Sequence, residues 1–134
     1  MIATAKYFTE KELCCKHCGQ CEVTQALCDA LDAFRETVNK PVLVDDAYRC
    51  PEHNKAVGGV PNSQHVLGTA ADIRVEGLSA TDLYHVALEV PAIHGIGRDD
   101  HENYLHVDVR EHPAKWCYAV NGQQEPWYDP QDIS

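Results

Sequence analysis

From Thr24 to about Asn39 the apolar residues Leu27, Ala30, Leu31, Phe34 and Val38 recur at three-to-four spacing, which predicts an amphipathic helix capped by Thr24. A second stripe, Leu83, Val86, Ala87 and Val90, begins after Ser79 as cap and is stopped by Pro91, so a second helix is predicted there. Between them the period changes. Pro41-Val42-Leu43-Val44 reads as a strand, Glu52 to Val57 as a short helix or turn ended by Gly58-Gly59, and residues 60–64 as loop. Ala70-Ala71-Asp72-Ile73-Arg74-Val75 alternates as a strand does, with Asp72 near its start and Arg74 on the same side. Residues 93–98 and 103–110 read as adjacent strands joined by the charged turn Asp99-Asp100-His101-Glu102, and Thr9 caps a short helical turn before Leu13. The predicted architecture is α+β: helices on one side of a small, mostly antiparallel sheet. Residues 1–134 read as a single domain with a core over about 8–116, and residues 117–134 as an aromatic and polar surface tail.

Composition narrows the class. A chain of 134 residues, 44% hydrophobic, has the size of one domain and shows no repeat or low-complexity tract. A formal charge of −10, with only 11 Lys and Arg spread thinly, argues against nucleic acid as a partner. The residues after Met1 lack the apolar run of a signal peptide, and no window approaches the ~18 apolar residues of a membrane span, so no membrane insertion is expected. Seven cysteines are unevenly placed: Cys14, Cys15, Cys18 and Cys21 cluster around His17, while Cys28, Cys50 and Cys117 stand apart. The cluster is compatible with a structural metal site, with disulfides or with free thiols.

The candidate chemistry lies in Ser63-Gln64-His65-Val66-Leu67-Gly68-Thr69-Ala70-Ala71-Asp72 and in Leu105-His106-Val107-Asp108-Val109-Arg110. A histidine, a carboxylate and a second histidine are the ligands a protein offers zinc when a fourth position must stay open for water. Strand periodicity projects His106 with Tyr104 and Asp108 while Leu105 and Val107 face the core. Asp108 is then expected as the general base for a zinc-activated water, with orientation of His106 as its other role and Glu102 as a weaker base candidate. Arg49 either pairs with Asp45 or Asp46 or grips a substrate carboxylate or polarised carbonyl, and Ser63 either caps a turn or bonds substrate.

These residues also carry a resemblance. Ser63-x-His65-x-x-Gly68-x-Ala70-x-Asp72 with His106 resembles the zinc site of the M15 peptidases, a family of D-alanyl-D-alanine carboxypeptidases and cell-wall endopeptidases that shares its fold with the hedgehog signalling domain. Tyr48-Arg49-Cys50-Pro51-Glu52-His53-Asn54 and Val57-Gly58-Gly59-Val60-Pro61-Asn62 are similar to the compact bacterial and phage branch, and the likeness covers about residues 8–116. It implies zinc on His65, Asp72 and His106, Arg49 and Ser63 near the substrate, and a peptidoglycan stem peptide as that substrate. A monomeric endolysin is implied, cytoplasmic until released and acting at the cell wall. A zinc-bearing module without turnover is the alternative. Many relatives place Glu three residues, or His two residues, before the last ligand for proton transfer, where this chain has Asn103 and Tyr104. The usual Ser-Gly before Tyr-Arg is Asp46-Ala47 here.

Overall fold

A computed structural model describes residues 3–130; residues 1, 2 and 131–134, which include the end of the expected tail, lie outside the described residues. The two predicted helices form where the apolar stripes place them. Helix α1 (Glu10–Leu13) is held by a capping box between Thr9 and Glu12, and α2 (Gln25–Val38) starts at the Thr24 hydroxyl, which accepts from the Leu27 N–H. Asn39 adopts a left-handed conformation (φ 53°) that ends α2. Helix α3 (Pro51–Ala56) begins with proline at its first position, and α4 (Ala80–Ala87) is capped by Ser79 in a second capping box with Asp82.

Six strands form one sheet: β1 (Leu43–Asp46), β2 (Ala70–Arg74), β3 (Gly95–Asp99), β4 (Tyr104–Asp108), β5 (Ala114–Tyr118) and β6 (Gln124–Pro126), in the order β1-β2-β4-β3-β5-β6. The expected mostly antiparallel sheet is corrected to a mixed one, because β5 runs parallel to β3. The cause is local. After the β3–β4 hairpin the chain turns through residues 109–113 back to the start of β3, where His94 accepts from the Ala114 N–H, so β5 sets off beside Gly95 in the same direction. The segment expected to be a surface tail therefore extends the sheet through β5 and β6, and Trp127 and Tyr128 then pack their rings over the guanidinium of the fully buried Arg98.

The sheet has two unlike faces. Ile73, Ile96, Leu105 and Val107 join Leu27, Leu31 and Phe34 of α2 and Leu83 and Ala87 of α4 in one apolar core. On the opposite face, register aligns Asp46 with Asp72, Asp72 with His106, His106 with Gly97 and Gly97 with Trp116. A single row of cross-strand neighbours thus carries an acid, an acid, an imidazole and an indole across five strands. Glycine is required within it: a Cβ on Gly97 would run into the Trp116 indole at 2.6–2.8 Å.

Candidate metal centre and active-site cleft

Each predicted ligand reaches the same point from a different element. His65 sits in the loop before β2, Asp72 is the third residue of β2, and His106 is the middle residue of β4, directly across from Asp72. His65 Nε2 lies 3.2 Å and His106 Nδ1 3.0 Å from Asp72 Oδ1, and the two rings meet edge to face with centroids 5.1 Å apart. The far nitrogens are already committed. His65 Nδ1 is 2.7 Å from the Ala47 carbonyl, which can only accept, so this nitrogen carries a proton and Nε2 is the one turned toward Asp72. His106 Nε2 is 2.8 Å from Asp108 Oδ2, which likewise leaves Nδ1 to face Asp72. Two imidazoles with pinned tautomers and one carboxylate, all with donor atoms within 4.8 Å of one another, fit a zinc ion.

Asp108 is placed behind His106 rather than in the cleft. Its side chain is fully buried, and both oxygens are taken: Oδ2 by His106 and Arg110 Nη2 (2.7 Å), Oδ1 by Arg110 Nε (2.8 Å) and the Arg110 N–H (3.1 Å). Against the cost of burial, Arg110 and His106 hold the Asp108 carboxyl well below the usual carboxylate range. The expectation that Asp108 is the base is therefore corrected: the geometry supports orientation of His106 and gives Asp108 no path to the cleft. Glu102 is exposed in the β3–β4 turn and does not line the cleft.

The cleft holds about 970 Å³ and is floored by His65, Asp72 and His106. One wall comes from residues 57–64, stapled by the buried Asn54, whose amide donates to the Val60 carbonyl at 2.7 Å. Trp116 and Tyr118 of β5, with Gln123 and Gln124, form the other wall. Ser63 lines the cleft and also accepts from the His65 N–H at 3.2 Å, so it fixes the ligand loop. Arg49 lines it too, with Nε 2.9 Å from Asp46 Oδ2 in an ion pair whose N–H is not aimed along the line of a hydrogen bond. Asp45, the other expected partner of Arg49, is instead bound by Arg74 through two hydrogen bonds.

Sequence reasoning missed Asp46, Tyr104 and the β5 aromatics. Asp46 Oδ1 is buried without a hydrogen-bond partner, in a residue that lines the cleft one strand away from Asp72. Burial raises the Asp46 carboxyl above its ordinary value, against the pull of His65 and Arg49. Burial and the charge of Asp72 push Tyr104 up strongly and Tyr118 up to about 12, so both hydroxyls stay protonated and able to donate. Alternation of Trp116 and Tyr118 two residues apart was the available signal for a strand face there.

A model of the Peptidase M15 family matches residues 6–108, a span that includes His65, Asp72 and His106. The chain belongs to the Peptidase M15 family. No curated protein matches the chain. Membership of the M15 family makes the protein a peptidase and implies zinc dependence, and His65, Asp72 and His106 form a candidate metal-binding group on the cleft floor. Among the described residues, no helix is long and apolar enough to cross a membrane.

In the metal-free M15 chain, His106 stands between two carboxylates. Burial opposes its charge, but the hydrogen bonds it donates to Asp108 and Asp72 prevail and raise it from 6.5 to about 9. The same imidazoles hold Asp72 well below the carboxylate range against its burial. A raised histidine contributes stability that is complete below its unfolded value and lost as pH climbs through the folded one. The Tm of the chelated protein should accordingly fall between about pH 6.5 and pH 9, with the His106 share on the order of 3 kcal/mol. The depressed acids act at the other end, where stability declines once pH drops below about 3.8. Calorimetry of the metal-free protein across this range checks it, and a flat Tm between pH 6.5 and 9 contradicts it.

Proposed function

We propose that the protein is a zinc-dependent hydrolase of peptide bonds in peptidoglycan stem peptides, acting as a D,D-carboxypeptidase or endopeptidase. The observation that carries the reading is the triad of His65 Nε2, Asp72 Oδ1 and His106 Nδ1 on the floor of an open cleft, with the unpartnered Asp46 Oδ1 on the adjacent strand. Zinc held there supplies Lewis-acid polarisation of a carbonyl and acidification of water. Asp46 Oδ1 takes the proton from a water in the cleft and delivers it to the leaving amine, while Arg49 holds the other Asp46 oxygen and keeps the carboxylate aimed inward. Tyr104, two residues before His106 on the same face, donates its hydroxyl to the oxygen that gains charge as the bond breaks.

The substrate class is supported by the resemblance over about residues 8–116 to the compact bacterial and phage branch and by a cleft open enough for an extended peptide between two walls. In keeping with that branch, the protein acts as a monomer, stays cytoplasmic until released and then works at the cell wall as an endolysin would, with no nucleic acid as partner. One observation favours a second reading, a zinc-holding module without turnover: Asn103 and Tyr104 occupy the places of the family's usual proton-transfer groups.

The test is to strip the protein with a chelator, restore zinc and follow cleavage of synthetic stem peptides by mass spectrometry. Cleavage that disappears with the metal and returns with it supports the peptidase, and the mass of the products tells the carboxypeptidase from the endopeptidase. Zinc-loaded protein that binds the peptide and leaves it intact supports the module. Cleavage indifferent to metal would refute both.

A further inference from the structure

The four-cysteine metal site expected at Cys14, Cys15, Cys18 and Cys21 does not form, because Cys14 and Cys21 are joined in a disulfide. In its place Cys15 and Cys18 meet Cys50 from the other side of α2 and β1, the three sulfurs within 4.8 Å of one another. We infer that Cys15, His17, Cys18 and Cys50 form a second, structural zinc site, separate from the cleft and independent of the reading proposed for it.

Four observations carry this. Three thiols from segments 35 residues apart converge, two of them buried, with His17 Nδ1 3.7 Å from Cys50 Sγ as a fourth donor. Three sulfurs and one imidazole nitrogen form a tetrahedral zinc set that leaves no open position. The stretch Cys15-Lys16-His17-Cys18-Gly19 is folded for it: the Gly19 N–H donates to the Cys15 carbonyl at 2.9 Å, and Gly19 takes the left-handed conformation (φ 76°) that closes so tight a turn. Backbone N–H groups also point at sulfur, as anionic sulfur requires: Cys50 N–H to Cys15 Sγ at 3.4 Å and His53 N–H to Cys50 Sγ at 3.4 Å. The ring of His17 is further fixed by stacking on His53 (centroids 5.7 Å, planes 6° apart).

The placement gives the site a task. Cys50 follows Arg49 directly and caps α3, and the neighbouring Tyr48 N–H donates to the Leu13 carbonyl. An ion here ties the N-terminal segment to the loop that brings Arg49 and Asp46 to the cleft, so metal binding contributes folding free energy where the active-site wall is anchored.

The experiment measures metal content and visible and near-ultraviolet absorption of the full chain, purified anaerobically and loaded with zinc or cobalt(II). Wild type should carry two metals per chain, and the cobalt form should show a thiolate-to-metal charge-transfer band. His106→Ala should drop to one metal and keep the band. Cys50→Ser, which preserves a side chain able to cap α3, and Cys18→Ser, at the exposed ligand, should each drop to one metal and lose it. A cobalt-loaded wild type without the charge-transfer band, a band that survives both cysteine variants, or a disulfide among Cys15, Cys18 and Cys50 found by mass spectrometry would each overturn the inference.

Discussion

Asp46→Asn lowers kcat by about 10²–10⁴-fold on stem peptide while zinc content and KM stay near wild type. The change removes the proton acceptor and keeps the size of the side chain, so the metal triad, built from other residues, has no reason to move. A group that acts only in proton transfer shows its loss in kcat and in the pH profile together. The acidic limb of the wild-type rate profile, set by ionisation of a carboxyl that burial raises, should vanish in Asp46→Asn. Arg49→Ala separates this from mere loss of an ion pair. Arg49 neutralises Asp46 at 2.9 Å, and removing it should shift the acidic limb rather than abolish it. Variants at Asp46 and Arg49 with the same profile would show that Asp46 only supports the arginine.

Asp108→Asn gives the complementary result: zinc affinity weakened by about 10–100-fold, with kcat at saturating zinc largely kept. Asp108 touches His106 Nε2 and not the cleft, so its negative charge acts on the metal through the imidazole. Replacing the carboxylate with an amide leaves the Arg110 guanidinium, partly buried and stacked over Trp116 at 4.9 Å, without the anion that balances it. A stability loss of roughly 3–5 kcal/mol, the scale for breaking a buried ion pair, accompanies the weaker binding and is read from denaturant unfolding. Turnover abolished with zinc tightly retained would instead make Asp108 the base. Comparing the two variants side by side therefore assigns both carboxylates.

Much of this arrangement is legible in the sequence, and the illegible part has physical reasons. The caps Thr9, Thr24 and Ser79 and the stripes of α2 and α4 are local signals, and local signals hold. The side-by-side placement of His106 and Asp108 follows from strand period alone. Which of two roles Asp108 plays does not, because periodicity tells the face of a residue and not its partners; the decision lies with Arg110, which folds back onto the carboxylate. Strand β5 escapes a local reading since its pairing with β3 is parallel and reaches past β4. Asp46 is invisible as chemistry until the register of β1 sets it beside Asp72, and Cys50 looks solitary until the fold carries it to Cys15.

The row that runs from Asp46 through Asp72, His106 and Gly97 to Trp116 imposes a parity on the gene. Adding or losing one codon inside β2 or β4 swings every later side chain of that strand through to the apolar layer, exchanging His106 for Leu105 or Val107. A length change within either strand keeps the row on the cleft face only when it comes in even steps.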